Sequence, residues 1–241
     1  AFIREAAREF GSQCIVVAID AKREADGYRV YRGGHEKTDW SPVDWAQRGP
    51  ECRGIVAGQL GWDITDFGSG DFHRIGLFLF TIRNGTVAES GKTAGKTYAE
   101  KILIVQPGQV TPTHLHALKT EDIINRGGGV LDIAFWNSTP GEGLADTPVV
   151  LQCDGVERIL EPGAAVSFPP GESVCIPAGV YHRFQGRAGT GTVLAGEVST
   201  VNDDRVDNRF LDPVGRFPKI DEDEPPLHLL TEDYRRYYRF A

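Results

Sequence analysis

The sequence predicts an all-β fold for most of this chain, a sandwich or barrel of short antiparallel strands. Two observations carry that prediction: short runs of β-branched and aromatic residues recur between Gly, Pro or Asn, and almost no helical period interrupts them. A third is Asn84–Gly85, a dipeptide typical of two-residue hairpin turns. The predicted strands cover residues 75–83, 97–106, 129–137, 147–153, 156–160, 164–168, 173–177 and 192–201.

The first 60 residues have a different character, and we predict a helical N-terminal extension over 1–60 followed by a β domain over 61–241. Apolar residues recur at helical spacing within residues 1–11. A charged, glycine-rich stretch over 20–40 predicts a loop. Ser41–Pro42 then signals the start of a second helix, because Ser can cap a helix and Pro is tolerated in its first turn.

The segment after Val201 is rich in Asp, Asn and Pro, and we predict a long loop laid over the barrel rather than a regular element. The overall charge is acidic, with 26 Lys and Arg against 34 Asp and Glu, and no basic patch with interleaved aromatics occurs, so a nucleic-acid partner is not expected. No apolar run approaches the roughly 20 residues that span a bilayer. The sequence therefore predicts a cytoplasmic protein without a membrane partner.

A candidate metal site lies between residues 108 and 129. His114 and His116 are two residues apart, so on a strand both side chains face the same side and can bind one ion. Glu121 must return to that side across a turn or bulge. A further ligand is expected from His182, which follows a strand and a tight turn and can lie on a strand beside the histidine pair. Imidazoles with one carboxylate suit Mn, Fe, Co, Ni or Zn rather than Ca or Mg.

These motifs resemble the cupin signature. The first is Gly108, five residues, His114-x-His116, four residues, Glu121, six residues and a glycine. The second is a glycine, five residues, Pro-x-Gly, two residues and His182, but Gly186 stands where the pattern prefers Asn. The resemblance implies a cupin (RmlC-like) jelly-roll barrel.

Within that superfamily the chain looks like a D-lyxose isomerase over roughly residues 40–230. The resemblance is carried by GWDITDFGSGDF at 61–72, HLHALKTEDIINRGGG from 114, PAGVYH at 177–182 and GEVSTVNDDRVDNRF at 196–210. It implies a metal-dependent enzyme that interconverts D-lyxose with D-xylulose, and D-mannose with D-fructose. It also implies Mn(II) and a homodimer.

Aldose–ketose isomerisation needs a base for the proton next to the carbonyl and a group that moves protons between the two sugar oxygens. Lys119 is either a solvated turn residue or, beside a divalent cation that lowers its pKa, the proton-exchanging group; the resemblance favours the second role. For the base we predict Glu222 in the acidic run 221–224, with Glu224 in reserve.

Four polar residues after Val201 are candidates to bind sugar hydroxyls or, alternatively, to hold their own loop together. Glu197 can reach the cavity or face water. The sugar-binding candidates are Asp204, Asp207, Asn208 and Arg209.

Two other functions fit the same ligand set. An Fe(II) cupin dioxygenase uses similar ligands, but Lys119 and the acidic tail argue against it. A non-catalytic cupin that binds a sugar is the other alternative, and it would bind aldoses without turnover.

Overall fold

The structure is a computed structural model that describes residues 20–24, 27–32, 36–37, 53–87, 93–201, 203–218 and 229–237. The chain forms two compact units. The first contains Ala1–Asp63 with Asp221–Ala241, and the second contains Ile64–Ile220. The predicted division into 1–60 and 61–241 stays a prediction.

The described elements are mostly strands. In chain order the strands are β1 (Asp20–Glu24), β2 (Gly27–Arg32), β3 (Glu36–Lys37), β4 (Gly61–Thr65), β5 (Leu77–Arg83), β6 (Thr86–Val87), β7 (Thr93–Ala94), β8 (Tyr98–Val105), β9 (Val110–His116), β10 (Glu121–Gly128), β11 (Leu131–Asn137), β12 (Val149–Cys153), β13 (Val156–Leu160), β14 (Ala165–Phe168), β15 (Ser173–Ile176), β16 (Val180–Gly186), β17 (Val193–Thr200) and β18 (Asn208–Phe210). The helices are α1 (Arg53–Ala57), α2 (Asp204–Asp207) and α3 (Tyr234–Tyr237), with a 3₁₀ turn at Thr231–Asp233. None of the helices in the described ranges is long and apolar enough to cross a membrane.

Two antiparallel sheets build the second unit. The smaller has the order β14-β11-β16-β9-β18. The larger has the order β13-β12-β15-β10-β17-β8-β5, with β4 as its eighth strand at the edge. All eight strands predicted from sequence are present, and the predicted all-β cupin jelly-roll fold is confirmed.

The apolar core joins the two sheets, because strands of both contribute buried side chains. Phe135 and Val149 have 0 % of their surface exposed and Leu131 has 1 %.

We expect Phe135→Ala to lower the free energy of unfolding by about 3–5 kcal/mol, since the cavity left behind adds to the lost burial.

Chemical denaturation measures this loss. The matched control is Ile159→Ala on β13, whose side chain is 69 % exposed, and it is expected to change the free energy of unfolding by less than about 1 kcal/mol. Equal losses in the two variants would contradict this location of the core.

Three sequence predictions about local structure were wrong. Residues 20–37 contain the antiparallel sheet β1-β2-β3 rather than only a loop; Tyr28, Val30 and Tyr31 are good strand formers that the surrounding charges had masked. Asn84–Gly85 does not close a hairpin, since β5 pairs with β8 and neither turn residue has the positive φ that such a turn requires.

The third error concerns the segment after Val201. It contains α2 and β18, because Asn208–Phe210 pairs with His114–His116 and so extends the smaller sheet. The predicted loop over the barrel falls partly on residues 219–228, which lie outside the described ranges, and it stays a prediction. The predicted helix at residues 1–11 and the start at Ser41–Pro42 also lie outside them, whereas α1 lies within the predicted helical extension over 1–60.

Gly186 accounts for the departure from the cupin pattern. A Cβ at this position would lie 2.5 Å from the carbonyl oxygen of Gln106, and the Gly186 carbonyl accepts a 2.7 Å hydrogen bond from the amide of Gly108. Any larger residue at position 186 would push these two backbone segments apart.

Candidate active site

The three predicted histidine ligands meet on the smaller sheet. His114 and His116 lie on β9, His182 lies on the neighbouring β16, and His182 is directly opposite His114 in the register. One ligand nitrogen from each ring lies within 4.8 Å of the others, and all three side chains are buried. The bulge between His182 and Phe184 shifts the register at this point.

Backbone carbonyls orient two of the rings. Nδ1 of His114 lies 2.8 Å from the carbonyl oxygen of Pro112, and Nδ1 of His182 lies 3.2 Å from that of Val180. Because these Nδ1 atoms face acceptors, each ring directs Nε2 towards the interior as a ligand atom.

Glu121 comes from the opposite sheet. The turn at residues 117–120 carries the chain from β9 to β10, so Glu121 faces the histidines from across the interior rather than along their strand. Its Oε1 lies 3.1 Å from Nε2 of His182, and its Oε2 lies 3.5 Å from Nε2 of His116. The predicted return of Glu121 across a turn is therefore what the structure contains.

The histidines and Glu121 influence one another's protonation because they are buried side by side. Burial, together with the neighbouring His182 and His116, lowers the pKa of His114 well below its ordinary value. Burial also lowers the pKa of His116, but Glu121 and Asp207 together outweigh burial and raise that pKa to about 9. Burial opposes ionisation of Glu121, yet Lys119 and His116 hold its pKa well below the usual range. A buried carboxylate facing three imidazoles is a donor set that fits a divalent transition metal.

A chain of buried ion pairs continues from Glu121 into the larger sheet. Nζ of Lys119 lies 2.7 Å from Oε2 of Glu121 and 2.8 Å from Oε1 of Glu197, and Nζ of Lys101 lies 3.3 Å from the same Oε1. The exposed fractions of these four residues are between 2 % and 5 %. Lys119 is thus no solvated turn lysine, and Glu197 faces the interior rather than water.

Register explains how Lys101 and Glu197 reach the site. They are directly opposite each other on β8 and β17, and Glu197 is opposite Ile123 on β10. Farther along β8 and β17, the same inward face carries the apolar pairs Leu103–Ala195 and Val105–Val193. The interior therefore changes from apolar to ionic along the strands.

Lys101 was missed by the sequence analysis, and Glu197 was left open between two locations. The available signal was a charged residue at an inward position of an alternating strand, as in Ala99, Lys101, Leu103 and Val105.

The remaining predicted residues are spread more widely. Asn208 lies opposite His116, and its Oδ1 is buried without a hydrogen-bond partner among the described residues. Arg209 is partly exposed and donates from its guanidinium to the carbonyl oxygens of Val206 and Asn208. Asp207 lies against His116, at 3.3 Å between Oδ2 and Nδ1.

Asp204 begins α2, and its side chain lies outside the described part of the structure, as do Glu222 and its reserve Glu224. Their predicted roles, and those of Asn208 and Arg209 in binding sugar, stay predictions.

Comparison with known proteins agrees with the motifs. The family model of D-lyxose isomerase matches residues 36–234. The chain belongs to the D-lyxose isomerase family. A D-lyxose/D-mannose isomerase of Serratia proteamaculans is 48 % identical over 200 residues, which is 82 % of this chain and 86 % of that protein. The protein is therefore a sugar isomerase with a small-molecule sugar substrate, and the dioxygenase and non-catalytic alternatives are set aside.

A solved L-ribose isomerase of Cellulomonas parahominis with L-ribose is also similar. It is 19 % identical, with a TM-score of 0.46, and the likeness covers 70 % of this chain and 87 % of that one.

The N-terminal part is similar to a different family. A model described as histidine biosynthesis protein matches residues 1–59. The imidazole glycerol phosphate synthase subunit HisF of Lactococcus lactis subsp. lactis is 52 % identical over 61 residues, 24 % of this chain and 22 % of that protein. This similarity ends before the second unit, which holds the site.

Proposed function

We propose that this chain is a metal-dependent aldose–ketose isomerase that interconverts D-lyxose and D-xylulose, and also D-mannose and D-fructose. The observation that carries the proposal is the buried group of His114, His116, His182 and Glu121 in contact with the Lys119–Glu197 ion pair. The name of the Serratia relative supports the choice of sugars.

The four-residue donor set would hold the metal, and the second unit supplies all of it. When bound, a divalent metal supplies Lewis-acid chemistry, which stabilises negative charge that develops on the sugar oxygens. Mn(II) is our proposal for its identity, on the resemblance to this family.

Glu197 is proposed as the base. In the aldose-to-ketose direction a carboxylate takes the hydrogen of C2 as a proton, the C1–C2 double bond of an enediol forms as the C1–O1 double bond opens, and the carboxylic acid, whose proton can exchange with solvent, then gives a proton to C1. The carboxylate of Glu197 suits this transfer because it is buried and the ammonium groups of Lys119 and Lys101 compensate its charge inside the protein. Glu222 stays the alternative for this role.

Lys119 is proposed to move the hydroxyl proton. Isomerisation also requires that the proton on O2 of the aldose appear on O1 of the ketose. The Lys119 ammonium already bridges the carboxylates of Glu121 and Glu197, so it lies between the metal-binding group and the proposed base. A donor there can protonate one sugar oxygen and be reprotonated by the other.

Metal removal tests the proposed function. We expect chelator-treated protein to lose ketose formation from D-lyxose and D-mannose, and to regain it on addition of Mn(II). A panel of aldoses read out as ketose measures both the requirement and the preferred sugar. Full turnover by His114→Ala/His182→Ala protein without bound metal would contradict the proposal.

The homodimer and the cytoplasmic location are carried forward as proposals. The dimer rests on the family resemblance, and the mass in solution tests it. The location rests on the sequence prediction, and cell fractionation tests it.

A further inference from the structure

Asp207 holds a distinctive place beside the donor set. Its side chain is buried, with 4 % of the residue exposed, at the end of α2 and directly before β18. One carboxylate oxygen, Oδ1, accepts a 2.6 Å hydrogen bond from the amide of Leu118, and the Asp207 carbonyl accepts one of 3.0 Å from Ala117. Asp207 therefore holds the turn that leads from His116 to Lys119.

The other carboxylate oxygen faces a metal-ligand ring. Oδ2 of Asp207 lies 3.3 Å from Nδ1 of His116. Both atoms are buried and neither has a hydrogen-bond partner among the described residues, so the two groups lie close together without the geometry of a hydrogen bond. Buried polar atoms are normally hydrogen-bonded, and a small rotation of the His116 ring would align these two atoms as a hydrogen bond.

His116 differs in this respect from the other two histidines. His114 and His182 direct Nδ1 at neutral backbone carbonyls on their own strands. His116 directs Nδ1 at a carboxylate from a segment about 90 residues farther along the chain. A carboxylate partner fixes the Nδ1-protonated tautomer, leaves Nε2 as the ligand atom and makes the imidazole a stronger donor.

We infer that Asp207 is a positioning residue that orients His116 for metal binding and ties the segment 203–210 to the metal-binding group. The inference rests on the proposed metal dependence and adds a residue outside the four-ligand set. The pairing of β18 with β9 is a second connection between this segment and the site, because Asn208 lies opposite His116 in that pairing.

Asp207→Asn tests the tautomer directly. The amide keeps the size of the side chain, but its NH₂ group can donate to Nδ1 of His116, which would place the proton on Nε2 and remove the ligand atom. We expect Mn(II) affinity, measured by competition with a chelator, to fall by about 10- to 100-fold. The visible absorption of the Co(II)-loaded protein is expected to change as well, because one ligand is misplaced.

Two further variants separate positioning from folding. Asp207→Glu keeps the charge and is expected to recover part of the affinity. Asp212→Asn removes an exposed carboxylate two residues beyond the segment 203–210 and is expected to leave affinity unchanged. If metal-free Asp207→Asn protein melts well below wild type, the Mn(II) affinity of Asp207→Glu is compared with that of wild type instead.

The outcomes distinguish the two proposals. Wild-type protein that binds no Mn(II) would overturn the proposed function itself. The role of Asp207 alone would be overturned by a different result. In that case wild-type protein binds Mn(II), the Mn(II) affinities of Asp207→Asn and Asp207→Ala are within twofold of wild type, and the Co(II) spectrum is unchanged.

Discussion

Replacing Glu197 by glutamine is expected to lower kcat by about 10²- to 10⁴-fold, the usual contribution of a general base. The amide is nearly the same size but binds no proton at neutral pH, so it cannot accept the hydrogen of C2. Glu197 contacts Lys119 and Lys101 and is not one of the four proposed ligands, so bound metal should remain. Steady-state kinetics with D-lyxose, together with metal content, measure the two quantities.

Two controls make the result specific. Glu157→Gln replaces an exposed glutamate on β13 and is expected to leave kcat unchanged. Glu222→Gln tests the alternative base, and a large loss of kcat there with none in Glu197→Gln would reverse the assignment. A further readout is solvent deuterium, which should enter the product made by wild type and enter far more slowly with Glu197→Gln.

The metal ligands were accessible from sequence because their spacing has a geometric meaning. His114 and His116 share a strand face, and this follows from the period of two alone. The turn that returns Glu121 was also predicted, but its destination was not: Glu121 faces the pair from the other sheet. His182 required that β16 lie beside β9, which the strand and tight turn before His182 allowed and the cupin motif then favoured.

Lys101, Glu197 and Asp207 were harder to assign because their roles depend on register and sheet order. Lys101 and Glu197 are 96 positions apart in number and meet only because β8 pairs with β17 in one register. A shift by one residue would turn each to the opposite face. Asp207 reaches His116 through a short strand, β18, that a run of Asp and Asn concealed.

The N-terminal segment shows a different reason for failure. The charged, glycine-rich composition of residues 20–40 predicted a loop, whereas the described part of this stretch forms the strands β1, β2 and β3. The structure of such short strands is set by tertiary context more than by local pattern. The similarity of residues 1–59 to histidine biosynthesis proteins could not be seen from the motifs around the metal ligands, which lie elsewhere in the chain.

Replacing Lys119 by methionine is expected to lower the free energy of unfolding of the metal-free protein by about 3–5 kcal/mol. The substitution leaves the buried carboxylates of Glu121 and Glu197 without the ammonium that lies within 2.8 Å of each. Urea denaturation measures the loss, and chelator is included because bound metal would add its own stabilisation. A loss below about 1 kcal/mol would contradict the picture of a buried ionic chain.

A double-mutant cycle assigns that loss to the pair rather than to packing. If Glu197 is the carboxylate most affected, Lys119→Met/Glu197→Gln should be less destabilised than the sum of the single variants, by about 0.5–3 kcal/mol. The exposed pair of Arg83 and Glu100, 3.0 Å apart with side chains 48 % and 27 % exposed, is the matched control. Arg83→Met should cost no more than about 1 kcal/mol, because water screens that pair and replaces its contacts.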